Sequence, residues 1–388
     1  MKEKLIAKFE QKDVLLHDAY QKPVTVWIDE ETSMELNYQG WPTICRGDGD
    51  TLYVSSSIRR GHVDPYGATA FYVSHDRGKT WSEPRVINDT PADDRDTGVA
   101  YLGDGRIVVS FFTIGLNYFL PGGQWDVLMN YGDERQAAAK IKQGQALPED
   151  DQYRNSGSYL IFSEDYGKTW SAPHKVPACD PHGPSIANDG SLLQCRANIN
   201  TGCECYQSFD GGKTWESRFV IDLQNLPEGR TLYSEPYILQ LKNGHYLLGI
   251  RGQNHSVKNS DHTLCVFLAH SDDGRTFTQP APIPGVIGAP PHFLELSNGN
   301  ILLTYSYRGG AEGAMGVRGR VSYDNGYTWD DEIILSEAPE GTLGGEVGYP
   351  STVELDDGTL MTVYYQPAGS ENRPAILYTK WRLEEAEG

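Results

Sequence analysis

Basic residues and cysteine are what this chain of 388 residues has little of. Lysine and arginine total 33 against 53 acidic residues, a formal charge of −20. A field of that sign repels nucleic acid and anionic membrane surfaces, so neither is an expected partner. It leaves room for a small anionic ligand held by local arginines. Six cysteines without a dense framework read as buried or free thiols of a reducing compartment. Cys203 and Cys205 stand one residue apart and lack a second ligand pair, a poor arrangement for zinc, and no metal or other cofactor is expected. The first ten residues have no uninterrupted apolar core, so neither a signal peptide nor a membrane anchor is expected there, and the reading is cytoplasmic. Helical periodicity does not extend far, whereas glycine, tryptophan and tyrosine are plentiful, which points to an all-β chain.

What is present is repetition. The phrase Ser-x-Asp-x-Gly-x-Thr-Trp occurs at Ser74–Trp81, Ser163–Trp170, Ser208–Trp215 and Ser322–Trp329, and in shortened form at Ser271–Phe277. Each copy reads as a turn: the Asp accepts backbone N–H groups, the Gly supplies a positive φ and the aromatic residue buries between layers. A calcium loop would need several more oxygen ligands. Between these boxes, apolar stretches are paired across Asp48-Gly49, Asp104-Gly105, Asp189-Gly190, Asn243-Gly244, Asn298-Gly299 and Asp357-Gly358. Such pairs suit two-residue hairpins with both central residues at positive φ. Six hairpins and five boxes make a six-bladed β-propeller of four-stranded antiparallel blades. The sixth unit lacks room for its outer strand, which is expected from Leu5–Phe9 or Val14–Leu16, closing the ring with the N-terminal strand. One domain over residues 1–388 is expected.

In a blade, the residues just before the innermost strand and just after the second strand share one face, opposite the boxes. This gathers Trp41, Asp94-Arg95-Asp96, His182, Glu235, His292 and Tyr349 with Arg59, Arg60, His62, Asp64, Arg251, Gln253, Asn254, His255, Arg308 and Tyr364-Tyr365. Ionisable groups converging on one concavity mark a site. The interval from Asp96 to Gly183 is long enough to hold an insertion at about residues 115–156. Asp133 is its N-cap, Glu134–Lys142 a helix and Gly144 the stop, with Tyr118, Phe119 and Trp125 ahead of it. It reads either as a lid or substrate wall, or as an oligomer contact.

With boxes and face in place, the chain resembles the sialidase superfamily, whose exo-sialidases are six-bladed Asp-box propellers. The segment Ser234-Glu235-Pro236 to Arg251 is similar to the sialidase stretch that pairs a glutamate with a substrate-binding arginine. Arg318-Gly-Arg320 through Gly348-Tyr349-Pro350 resembles the stretch carrying another arginine and a tyrosine nucleophile. Asp64 stands where sialidases keep an acid/base aspartate. The resemblance implies that Tyr349 attacks, Glu235 takes its proton and Asp64 protonates the leaving oxygen, with Arg251 and Arg320 on the substrate carboxylate. A neutral phenol suits an anomeric carbon that bears a carboxylate. The chain departs from the family at Gln39-Gly40-Trp41-Pro42, where sialidases have an arginine. Arg59 or Arg60 is a candidate replacement, and Trp41 a flat stacking surface for a sugar. His62, His182, His292, Arg308 and Asp96 complete the expected binding set.

Bland readings stand beside these. Glu235 and Arg251 suffice for a structural ion pair, Tyr349 for a hydrogen bond across the channel, and Asp64 before Pro65 for a turn. Asp94-Arg95-Asp96 reads more readily as a salt-bridged blade junction than as catalytic machinery. The expected activity is a glycoside hydrolase removing a terminal acidic sugar from small glycans. The alternatives are a uronate-directed oligosaccharide lyase and a carbohydrate-binding propeller without catalysis.

Overall fold

The computed structural model describes residues 5–124, 128–179, 181–198, 202–223, 232–253, 264–308, 313–368, 371 and 373–385. Six four-stranded antiparallel sheets form the blades of a propeller. The first blade runs Tyr38–Arg46, Leu52–Arg59, Ala68–Ser74 and Arg85–Asn88 from the axis outward. The innermost strands of the next five are Asp93–Gly103, Ser185–Ile186, Leu232–Gln240, Pro291–Glu295 and Gly348–Glu354. In the sixth blade, Leu5–Leu15 pairs antiparallel with Arg373–Glu385 and supplies the outer strand. Both segments expected to close the ring belong to this one strand, interrupted by register shifts between Phe9 and Val14.

The boxes share one hydrogen-bond plan. The serine Oγ accepts the glycine N–H at 2.8 Å in the pairs Ser74–Gly78, Ser163–Gly167, Ser208–Gly212 and Ser322–Gly326, and at 2.9 Å in Ser271–Gly274. The same hydroxyl donates to the aspartate, which in turn accepts the threonine N–H. Hydrogen bonds to Thr80, foremost, hold the Asp76 carboxyl down at about 2. Blade-to-blade packing adds apolar layers such as Leu302, Val317, Leu335, Tyr364 and Trp381.

The turns between inner strands differ from the expectation. Positive φ at both central residues occurs at Asp104-Gly105; in the other five pairs only the glycine is left-handed. At Asn243-Gly244, Gly244 N–H bonds Leu241 O at 2.8 Å, and the Asn243 side chain accepts His245 N–H at 3.0 Å. The Asp or Asn side chain thus closes a longer loop in which the right-handed conformation is affordable at its own position.

The insertion contains the expected helix, running Glu134–Ala146. Asp133 accepts Gln136 N–H at 2.9 Å and Gln136 Oε1 accepts Asp133 N–H at 3.0 Å, a capping box. Phe119, Leu128 and Ala137 pack with Met34, Leu36 and Tyr66, and Gln136 Nε2 donates to Ser33 O at 2.9 Å. These contacts fasten the insertion to the hairpin Val24–Trp27/Ser33–Leu36 on the flank of the first blade. Trp125 lies outside the described residues. The six cysteines are free thiols, five of them buried.

Candidate active site

Five of the six inner strands open with the same backbone device. Trp41, Asp96, His182, Glu235 and Tyr349 have φ of +54°, +51°, +71°, +50° and +51°. Residues with side chains rarely adopt this region, and where they do the surrounding structure holds them there. In four of these blades the pairing register skips two residues at that point: Trp41-Pro42, Asp96-Thr97, Glu235-Pro236 and Tyr349-Pro350. A bulge turns the left-handed residue out of the ladder. All four side chains line one cavity of about 500 Å³ at the channel mouth, with His62, Arg95, Phe112, Arg251, Gln253, Leu264 and Arg308. Gly348 makes room for the bulge before Tyr349: its φ is +126°, and a Cβ there would meet Ser306 Oγ at 1.9 Å. That hydroxyl instead accepts Tyr349 N–H at 2.9 Å.

Tyr349 Oη donates to Glu235 Oε1 at 2.6 Å. Arg251 Nη1 donates to both Glu235 oxygens, at 2.7 and 2.8 Å, and lies 3.4 Å from Tyr349 Oη. Burial alone would raise the Glu235 pKa; the Arg251 charge and hydrogen bonds outweigh it and hold the carboxyl below its usual value. Burial and then the Glu235 charge push the Tyr349 phenol well above its ordinary range. The resting site therefore holds a protonated phenol against an ionised acceptor, the pairing an activated oxygen nucleophile needs.

Three arginines face this pair. Arg251 and Arg308 come from the ends of second strands, and Arg308 lies over the Tyr349 ring at 5.1 Å. Arg95 precedes the left-handed Asp96 and is the cation that the sequence reading passed over as part of a blade junction. It does bridge Asp93 and Asp96, at 3.5 Å each, and it also lines the cavity. Arg251 Nε and Arg308 Nη2 are buried with no hydrogen-bond partner among the described residues, while Arg95 Nε faces Asp96 Oδ1 at 3.5 Å. Such donors are rarely left idle, and an anionic ligand would satisfy them. Asp96 accounts for the carboxyl side of the site. Burial pushes its pKa up to about 6, against the opposing pull of Arg95.

Several expected residues stand elsewhere. Asp64 is fully buried and outside the cavity; its oxygens accept the N–H groups of Arg60 and Tyr66, the latter at 2.9 Å, so it clamps its own loop. Arg320 is on a third strand, where it donates to Asp330 O at 3.1 Å and Gly285 O at 2.8 Å, far from the mouth in the blade order. Arg60 lines a separate cavity with Asp133, Gln136 and Arg373. Arg59 is consumed by Asp93 at 2.9 Å and by Asp94 O at 2.8 Å. Trp41 cannot offer a sugar its face: it is 2% exposed, with the Arg59 and Arg95 guanidiniums over its rings at 4.8 and 4.9 Å. His182 and His292 sit below the site in the axial channel, their rings 5.3 Å apart. Desolvation pushes His182 down to about 3, so it is a neutral core residue bonded to Thr43 at 3.1 Å. Asn254 and His255 lie outside the described residues. No described residue of the insertion lines the cavity, which leaves its lid role without support there.

The family described as BNR repeat-like domain matches residues 141–362, 222 of the 388, and the BNR/Asp-box repeat matches residues 72–83. The chain belongs to the BNR repeat-like family. Solved structures place this BNR propeller among sialidase-like folds. A protein of unknown function from Dyadobacter fermentans is 20% identical with a TM-score of 0.71, covering 97% of this chain and 99% of its own. The Hadza microbial sialidase Hz136 is 17% identical with a TM-score of 0.61, over 90% of this chain and 66% of that one. The intramolecular trans-sialidase of Ruminococcus gnavus is 16% identical with a TM-score of 0.60, over 90% and 95%. At these identities the likeness is one of fold. No curated protein sequence matches the chain.

Proposed function

We propose that this BNR propeller is a glycoside hydrolase that releases a terminal acidic sugar from small glycans through a covalent intermediate on Tyr349. The observation that carries the reading is the 2.6 Å bond from Tyr349 to a Glu235 held ionised by Arg251, beside idle donors on Arg251 and Arg308. The arginines bind the sugar carboxylate by charge-assisted hydrogen bonds. Tyr349 Oη then attacks the anomeric carbon while Glu235 accepts its proton, and the bond to the leaving oxygen breaks. Asp96 replaces Asp64 as the proposed proton donor to that oxygen, because it is the protonatable carboxyl in the cavity. The Trypanosoma rangeli sialidase, a structural neighbour at TM-score 0.58 and 14% identity, is described as a covalent intermediate with 2,3-difluorosialic acid. That description supports covalent chemistry on this fold.

A uronate lyase is the second reading, favoured by the neutral imidazole of His62 beside the same arginines. The test is a screen of the purified chain against sialosides and uronide-capped oligosaccharides with product detection. Free acidic sugar, lost in Glu235→Gln, is the expected result. A 4,5-unsaturated product would replace the hydrolase by the lyase, and silence toward all of them would remove both.

A further inference from the structure

The axial channel holds a second cavity, of about 480 Å³, at the end away from Tyr349. Residues on or beside the innermost strand of all six blades line it, and no described residue lines both it and the candidate active site. Its mouth lies at the turns between inner strands, where Arg46, Lys242, Ser297 and Glu354 stand close to Asp48-Gly49, Asn243-Gly244, Asn298-Gly299 and Asp357-Gly358. Its floor is Thr43, His182 and His292, which are 2%, 4% and 6% exposed, and the His182 ring is 6.2 Å from that of Tyr349. Such a volume is in the range of about 300–1,000 Å³ usual for small-molecule sites.

Each histidine leaves one ring nitrogen buried with no hydrogen-bond partner among the described residues, Nε2 of His182 and Nδ1 of His292. The hydroxyls on the other two nitrogens fix what is left over. Thr43 Oγ1 spends its one proton on Thr97 O at 2.8 Å, so at 3.1 Å it accepts from His182 Nδ1–H. His182 Nε2 is therefore a lone pair in want of a donor. Ser351 Oγ accepts Ile44 N–H at 3.3 Å, and its own proton is directed to His292 Nε2 at 3.4 Å. That leaves His292 Nδ1–H as a donor in want of an acceptor. Buried polar groups are seldom left unpaired, and a hydroxyl, which both donates and accepts, answers both.

The rest of the cavity sets the class of molecule. Ile44, Val99, Leu239, Phe293 and Val353 give it apolar walls. On the rim, Arg46 donates to Asp356 at 2.5 Å and to Glu354 O at 3.0 Å, and Lys242 Nζ donates to Leu296 O at 3.4 Å. Glu295 accepts Lys242 N–H at 2.7 Å, and Glu354 accepts Ser297 N–H at 2.6 Å. Two cations and two carboxylates, each engaged within the protein, leave no net charge to draw in an ion. We propose that this cavity is a second binding site, for a neutral monosaccharide, with sugar hydroxyls on His182 and His292 and C–H faces against the apolar walls. The site stands independently of the hydrolase reading.

Ligand-observed NMR of the full-length chain with galactose, glucose and rhamnose, and with sialic acid and glucuronate as charged counterparts, tests it. At least one neutral sugar should bind, equally well in Arg308→Ala, whose side chain lines only the other cavity. Binding should weaken about tenfold in His292→Phe, through loss of a hydrogen bond, and disappear in Ile186→Trp. Ile186 is 42% exposed on the rim, so a larger side chain there narrows the mouth without displacing the core. Nitrogen-detected imidazole NMR, with His182→Gln for assignment, should show the sugar moving the His182 Nε2 resonance and leaving that of His62 in place. A channel filled by water alone with no sugar bound, binding that survives Ile186→Trp, or a preference of this site for the two acids would each overturn the proposal.

Discussion

Asp64 and Asp96 show how little a residue's type says until its neighbours are counted. Both are buried carboxyls near the channel mouth, but Asp64 has backbone donors and no access, while Asp96 lines the cavity with its Oδ1 3.5 Å from Arg95 Nε. The two titrations of the site then set its pH response. The proposed hydrolase needs Glu235 ionised, and its carboxyl lies below the usual 4.5; it needs Asp96 protonated, and that carboxyl lies at about 6. Turnover is therefore expected to rise as pH passes the Glu235 value, and to fall as pH climbs through about 6. Asp96→Asn should remove the alkaline limb and lower kcat/KM by ~10²–10³ on unactivated glycosides, with a much smaller loss on aryl glycosides whose leaving group needs no proton. A pH–rate series on both substrates checks it; an alkaline limb that survives in Asp96→Asn would return the acid role to another group. Arg95 was hidden from sequence reading by its own neighbours. In Asp93-Asp94-Arg95-Asp96 an alternation of charges looks like an ion-pair ladder, and the left-handed turn at Asp96 that leaves Arg95 at the cavity leaves no compositional mark.

Elements were far more legible, because their signals are local and repeated. Each box is a closed set of hydrogen bonds within about eight residues, so its sequence suffices, and the boxes with the paired turns predict six blades. Pro42, Pro236 and Pro350 follow three of the four bulged site residues, and this was the available signal for the device that aims them. Arg320 failed for the opposite reason. Its place was carried over from segment order, which does not say how far from the axis a strand lies. The closing strand makes a prediction at this scale. Leu5, Ala7 and Leu15 pack against the layer containing Leu360, Leu377 and Trp381, and Tyr364 Oη donates to Asp13 Oδ1 at 2.7 Å. Removing residues 1–16 should strip this cover, lower stability by about 3 kcal/mol or more, and bare the edge of Arg373–Glu385 to self-association. Urea unfolding with size-exclusion chromatography reads both; unchanged stability and a monodisperse chain would show that the ring does not depend on that strand.

On the scale of the whole molecule, a charge of −20 surrounds a cavity walled by Arg95, Arg251 and Arg308. Distant charges are screened within about 8–10 Å in ordinary salt, so the cavity's own arginines decide what binds there. The ring supplies the rigidity, and four of the six inner strands deliver one residue each, Trp41, Asp96, Glu235 and Tyr349, to one cavity from distant parts of the chain. That convergence explains why the fold could be read from the sequence while the site could be read only in part: repeats are local, whereas the cavity is a sum over blades. The central claim is that Tyr349 becomes covalently bonded to the sugar. The most direct measurement incubates the protein with a fluorinated acidic-sugar inactivator, digests it and locates the adduct by mass spectrometry. The account predicts a sugar on the peptide containing Tyr349, absent from Tyr349→Phe and slow to form in Glu235→Gln. An adduct on another residue, or turnover of glycans by Tyr349→Phe at the wild-type rate, would contradict it.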